Sequence, residues 1–568
     1  MTIMNANQSV AKTCKPLASY VLCLLGLLIS LSAFAKTDIN RTAEAPLTEY
    51  GQALAEHNRM LGTWALYQGD VPIFKQTWVP PKKNSDKDGD KDGTGISLQQ
   101  SQSVSQYKIG SISKTFTAVL TFKMIEAGKL SLNTPLAQFY PKVANAKDIT
   151  IGHMLTHHSG IASYTDSADF MTYYQSPQTP EQMVARIEAL PAAFKPGEKG
   201  VYSNSNFLLL GYILEQISGQ NYADLLKQHI VEPLNLKHTY YGMDDNNSDT
   251  VSYQWHNAQN QWQAIDPWSL SVAGAAGAII SSSDDLQLFF RGLFNDKLLS
   301  KDSLKQMTTL TDGFGYGIFQ TKAKNNDHEV IGYWHNGGIE GFASHAIYFP
   351  EIEVTTVVLS NGLNKTGMDD LNSALIDAYF GHSLDNKLAA LEVKAEQLKP
   401  YTGYFQSDTS PLDIEVMLMD DQLLAQATGQ GAFPLSPDGE HRFTFQPANI
   451  EMLFKADMNS FTLNQGDNHN VYQRNDDAKP QAAEVDEALL QSYTGVYASE
   501  GFPLDITVSL KGGQLQAQAT GQGAFPLTAK SETEFTFAAA NITMVFNADN
   551  QTMSFTQMGR SFEMKKKE

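Results

Sequence analysis

Residues 107–130 read YKIGSISKTFTAVLTFKMIEAGKL. Apolar side chains recur at Ile112, Phe116, Val119, Leu120 and Met124, the period of a helix. Gly128 followed by Lys129 marks its end. Ser111 therefore falls at a helix start, with Lys114 one turn on and on the same face. A serine hydroxyl becomes a nucleophile when a neighbouring base takes its proton, and a lysine three residues along a helix can be that base. The free N–H groups and positive dipole end of the helix suit a developing oxyanion. A helix N-cap serine beside a solvated lysine would leave the same trace. Ser-x-x-Lys occurs three times, at Ser9/Lys12, Ser105/Lys108 and Ser111/Lys114, and only the third opens a strong helical pattern.

On the N-terminal side, Trp64–Tyr67, a turn at Gln68-Gly69-Asp70 and Val71–Trp78 read as a β-hairpin. Residues 80–103 are a polar insertion in which Asp88, Asp90, Asp92 and Gly93 match the start of an EF-hand loop. The twelfth position is Gln99, so the Asp86–Gly93 segment reads as a solvated loop rather than a calcium site. On the C-terminal side, Ile149–Gly160 reads as a short helix carrying His157 and His158 as structural histidines. Tyr202-Ser-Asn204 precedes an apolar helical run from Phe207 to Ser218, stopped by Gly219. Phe314–Gln320 and Tyr333–Trp334 lead to His335-Asn-Gly-Gly338, and Ala343–Phe349 and Glu353–Ser360 read as strands around Pro350. Strands thus occur at both ends of residues 40–380 with helices between. One antiparallel sheet built from both chain ends, flanked by helices and carrying an inserted helical lobe, satisfies that order.

The last third repeats. Tyr401-Thr-Gly recurs at Tyr493-Thr-Gly, and Ala425–Leu435, AQATGQGAFPL, recurs unchanged at Ala517–Leu527, both with a spacing of 92 residues. Each copy is a run of short alternating segments parted by Gly, Asp, Asn and Pro turns, enough for one small closed barrel. The expected division is 1–35, a signal peptide; 40–382, a catalytic domain; and barrels at 390–476 and 486–568.

Three motifs stand in order: Ser111-x-x-Lys114, Tyr202-x-Asn204 and His335-x-Gly337. The set, with the phrases Ile109–Ala118, Leu155–Gly160 and His335–Gly341, resembles the serine β-lactamase and penicillin-binding protein superfamily. The similarity is greatest to the class C branch with its DD-peptidase, D-aminopeptidase and esterase relatives. It covers roughly residues 45–380, and the repeated tail looks like the small barrels that follow such domains in D-aminopeptidase-like proteins. The resemblance implies an α/β fold of the α+β type and an acyl-enzyme on Ser111. Lys114 and Tyr202 would form the proton relay, each with a lowered pKa. Asn204 would hold the substrate amide, and the N–H groups of Ser111 and Gly338 the oxyanion, with no metal or cofactor. The departure is His335, where β-lactamases of this branch usually carry lysine, and histidine lacks a fixed charge near neutral pH. The resemblance therefore implies a peptidase or amidase acting on D-amino-acid peptides, small or peptidoglycan-derived. A carboxylesterase, a weak class C-type β-lactamase, and a catalytically poor envelope-binding protein are the alternatives.

Composition narrows the setting. The net charge is −20, and residues 1–35 hold two lysines and no acid, so the chain beyond Ala35 carries −22. That excess argues against nucleic acid and anionic membrane surfaces as partners. Lys12 and Lys15, the apolar run Leu17–Leu31 and Ala33-Phe34-Ala35 have the form of a secretory signal cleaved near Ala35. A periplasmic or secreted protein without a membrane span after cleavage is expected. The only cysteines, Cys14 and Cys23, lie in that segment, which excludes disulfides, thiol catalysis and thiolate metal sites from the rest.

Overall fold

A computed structural model describes residues 39–567 apart from 81–98, 102–104, 245–250, 257–260, 326–327, 392, 420–421, 446–447, 467, 480–482, 500–501, 521–523, 538–539 and 558–559. Residues 1–35, read above as a signal peptide, and the Asp86–Gly93 loop lie outside the described residues. Residues 41–568 form one compact unit. No helix among the described residues is long and apolar enough to cross a membrane.

Seven antiparallel strands form the central sheet: β1 (Met60–Gln68), β2 (Val71–Val79), β3 (Gln99–Gln100), β4 (Phe319–Asn325), β5 (His328–Ile339), β6 (Phe342–Phe349) and β7 (Val354–Leu363), in spatial order β3-β2-β1-β7-β6-β5-β4. The N-terminal hairpin thus pairs with the last strand, so both chain ends build one sheet. Every residue of β1 is buried, because helices cover both faces. Trp64 and Tyr67 lie three residues apart and so face opposite sides. Trp64 packs edge-on against Tyr50 of α1 (Glu44–Glu56), and its indole N–H donates to the Leu371 carbonyl. Tyr67 donates from the other face to Ser283 Oγ, 3.0 Å away.

The helix predicted from residues 107–130 is α2 (Ser113–Glu126), entered through a 3₁₀ turn over Gly110–Ile112. It is buried on nearly every side rather than along one stripe. Its threonine hydroxyls meet that burial with local acceptors: Thr117 bonds the Ala275 carbonyl at 2.7 Å and Thr115 the Gly317 carbonyl at 2.8 Å. Phe116 stacks on Phe289 of α4 (Ser283–Phe294) at 3.6 Å. The inserted lobe contributes α3 (Asn204–Ser218), whose buried leucines pack on α2.

Gly403–Arg474 supplies eight strands that close into a barrel, Phe405 pairing with Arg474 to join first to last. The second copy forms a nine-stranded sheet from Gly495 to Lys566. There the strand equivalent to Phe433–Pro437 is divided into Phe525–Pro526 and Thr528–Ala529, so the barrel is nearly rather than fully closed. The two barrels meet the N-terminal domain at different places. The first packs Phe433–Pro437 on the helix Asp385–Leu391, and Ser436 donates to Asp370 of α5 (Met368–Tyr379) at 3.3 Å. The second packs its strand Phe502–Lys511 on the helix Phe170–Tyr173 of the inserted lobe.

Candidate active site

The Ser111 turn is held under a strand edge. Strand β6 pairs with β5 from Tyr333 to Ile339, but β4 pairs with it only as far as Trp334. From His335 onward the other edge of β5 lies against the turn that carries Ser111. Two glycines permit the approach. A Cβ on Gly337 would stand 2.0 Å from the Ile109 carbonyl oxygen and 2.8 Å from Ser111 N. A Cβ on Gly110, whose φ is +50°, would stand 2.8 Å from Gly338 N. Ser344 Oγ donates to the Ile109 carbonyl at 2.7 Å and fastens β6 to the same turn.

Lys114 Nζ is hydrogen-bonded to Ser111 Oγ at 2.9 Å and donates to the Ala276 carbonyl at 2.8 Å. The residue is 0% exposed, and among the described residues no carboxylate pairs with it. Burial without a counter-charge holds its pKa well below the usual lysine value. Lys114 Nζ also lies 5.0 Å from the centroid of the Tyr202 ring.

Tyr202 is set by its neighbours. His157 stacks on its ring at 4.4 Å, and Ser203 N donates to His157 Nδ1 at 3.0 Å. His157 accepts at Nδ1 and therefore carries its proton on Nε2. It orients Tyr202, while His158 is tied to the Thr156 carbonyl and Asp312; both are structural, as the sequence suggested. Tyr202 departs from expectation: burial pushes its pKa up, and the bond to Ser111 opposes this only in part. Desolvation lowers an amine but raises a phenol, so the pair diverges rather than shifting together. Asn204 opens α3, and its Nδ2 donates to Thr165 Oγ1 at 3.0 Å.

His335 is 1% exposed, with Nδ1 2.6 Å from the Asn336 carbonyl, to which it donates. Burial pushes its pKa down to about 3, so the ring is neutral. Nearby, Lys108 and Glu340 form a buried ion pair, and Glu340 also takes the Trp268 N–H. The cleft above Ser111 encloses about 340 Å³. Its walls include Asn204, Gly338, Phe170 and Trp268, the last two in edge-to-face contact at 5.2 Å. Thr165, Asp166 and Arg560 also line it. The sequence reading missed these rim residues. A signal existed: 92 residues before Arg560 the first copy has Asn468, so the arginine belongs to one repeat alone. Among the described residues, no group of three or more His, Cys, Asp or Glu is placed to hold a metal.

Residues 64–379, more than half of the chain, match the beta-lactamase family. The chain belongs to that family. Among curated members, it is 25% identical to penicillin-binding protein 4* of Bacillus subtilis over 383 residues, covering 62% of this chain and 82% of that one. It is 25% identical to protein flp of Staphylococcus aureus over 303 residues, covering 50% of this chain and 58% of that one. Among solved structures, the octameric penicillin-binding protein homologue from Pyrococcus abyssi matches with TM-score 0.52 and 21% identity, over 76% of this chain and 99% of that one. The last comparison establishes the β-lactamase-family fold of sheet, helices and lobe described above.

Proposed function

We propose that the protein is a serine hydrolase that forms an acyl-enzyme on Ser111 and cleaves amide bonds of D-amino-acid peptides in the cell envelope. The observation that carries this reading is a buried, uncompensated Lys114 amine 2.9 Å from Ser111 Oγ at the floor of an open cleft. A neutral amine there takes the serine proton as Oγ attacks the substrate carbonyl. The resulting oxyanion is received by the N–H groups of Ser111 and Gly338; one such donor is typically worth about 3 kcal/mol of barrier. The ammonium returns its proton through Tyr202, whose raised pKa keeps it a phenol able to pass one proton on while receiving another. The leaving amine departs, and water releases the acyl group by the same relay.

Asn204 supports an amide substrate, since its side chain lines the cleft and can pair with a peptide N–H or C=O. The relative named penicillin-binding protein 4* supports acyl chemistry, because a β-lactam is a strained amide that acylates serine. The neutral His335 supports peptide over β-lactam turnover, since it offers no fixed cation at the third motif. Export through residues 1–35 belongs to the same proposal. The test is labelling of the mature chain by a fluorophosphonate and by fluorescent penicillin, beside Ser111→Ala. Label on the wild type alone is expected. An unlabelled wild type would sink the enzyme, and a labelled variant would sink the serine.

A further inference from the structure

We propose that the second barrel completes the substrate cleft, and that Arg560 is a specificity-determining residue that recognises a carboxylate on the acyl side of the substrate. The inference rests on the serine-hydrolase reading above and names what that site selects. Arg560 begins the strand Arg560–Lys566, across the hairpin from Thr552–Gln557. Its guanidinium crosses from the barrel to the inserted lobe, where Nη2 donates to the Thr165 carbonyl and lies 3.2 Å from Asp166 Oδ1. The barrel is seated to make this reach, because its strand Phe502–Lys511 packs on the helix of Phe170, a wall of the cleft.

Thr165 fixes which side of the site Arg560 serves. Its Oγ1 accepts from Asn204 Nδ2, and its carbonyl accepts from Arg560. The group proposed to hold the substrate amide and the guanidinium are therefore held by one residue. A substituent running outward past that amide, away from Ser111, passes Arg560. Arg560 is also the only lysine or arginine among the described residues lining the cleft. Lys108 is spent on Glu340, and Lys114 is at the floor.

The chemistry fits a carboxylate. A guanidinium presents five donors in a fork that matches two carboxylate oxygens, and the contacts here are made by one nitrogen. Its present partner is replaceable: the Asp166 side chain is 72% exposed and that of Arg560 33%, so the pair is a solvated surface bridge. A substrate carboxylate arriving from water can displace Asp166 and leave the Thr165 bond in place.

The experiment uses the full chain with N-succinyl-D-alanine p-nitroanilide and N-butyryl-D-alanine p-nitroanilide. The two share scissile bond and length, and differ by a terminal carboxylate. The wild type should favour the succinyl substrate about tenfold in kcat/KM, through KM, as expected for one charge-assisted hydrogen-bonded contact. Arg560→Ala should bring the ratio near one, and Arg560→Lys should restore part of it, since a lysine keeps the charge and loses the fork. A wild-type ratio near one, or equal losses on both substrates in Arg560→Ala, would overturn the proposal. Fluorophosphonate labelling of each variant separates the two readings. A labelled enzyme that does not discriminate refutes the role of Arg560 alone, whereas an unlabelled wild type refutes the serine and, with it, this inference.

Discussion

The floor of the cleft and its rim are built on opposite physical terms. At the floor, Lys114 and His335 are packed away from water while Ser111 and Tyr202 are half-buried, and desolvation sets the protonation of the lysine, the tyrosine and the histidine. At the rim, Asp166 and Arg560 form a solvent-exposed ion pair and meet across two domains. Desolvation makes the floor chemically special and intolerant. Solvation makes the rim adaptable, with each contact worth little by itself. A site arranged this way can keep one reaction while its selectivity is rewritten from the second barrel.

If that contrast holds, the largest effects belong to the floor. Lys114→Met nearly conserves volume and removes the base. Acylation, followed as the rate of fluorophosphonate labelling, should fall about 10²–10⁴-fold, while the thermal midpoint holds or rises because an uncompensated buried amine is gone. A loss below tenfold would show that another group takes the serine proton. Next is Gly337→Ala. Its Cβ would meet the Ile109 carbonyl at 2.0 Å, so β5 or the Ser111 turn must move. A shift near 1 Å can cost about 100-fold in rate. Gly338→Ala is the control: its nearest neighbour, the Phe342 carbonyl, is 4.0 Å away, and a loss of about tenfold or less is expected. Equal losses would mean that the close approach of β5 is not what positions Ser111.

A smaller effect is read in pH. His335 titrates near 6.5 when unfolded and at about 3 when folded. Between those values the unfolded chain binds a proton that the fold refuses, so the fold loses stability as pH falls from 6.5 toward 3. Buried His345, pushed down to about 4, adds the same sign between 6.5 and 4. Lys114 acts likewise below its unfolded value near 10.5. Unfolding free energies from urea melts should therefore fall as pH drops from 6.5 to 4.5, by about 1.4 kcal/mol per unit for each fully differing group. The kcat/KM profile should show no limb from His335 between pH 5 and 8, since the ring is neutral throughout. A limb near 6.5 that vanishes in His335→Asn would contradict the burial argument.

The same physics decided what could be read beforehand. The floor was legible because one motif fixes its geometry locally: a lysine three residues after a serine on a helix must lie beside it. The sheet from both chain ends and the barrels were legible from strand alternation and the 92-residue repeat. The Tyr202 shift was not, because desolvation acts oppositely on acids and bases and burial is a tertiary property. Nor was the surrounded state of α2, since its threonines hide their hydroxyls on backbone carbonyls rather than in water. The rim was least legible, because Arg560 and Thr165 stand 395 residues apart and meet only once the second barrel is seated.

The smallest expected effect tests whether fold or seating gives the second barrel its role. Asn468 stands at the start of the strand Asn468–Arg474, the position that Arg560 holds one repeat later. Among the described residues no hydrogen bond or ion pair joins it to the N-terminal domain, and its own barrel is seated on the helix Asp385–Leu391. Asn468→Arg should therefore leave the succinyl-to-butyryl ratio within about 1.5-fold of the wild type, the scale of an exposed charge without a partner. Combined with Arg560→Asn, it should not recover the lost discrimination, although the chain again carries one arginine at this hairpin position. Recovery would mean that an arginine acts from either barrel through the general field of the molecule. Its absence would mean that the bond across to Thr165 is what turns a copied barrel into part of the cleft.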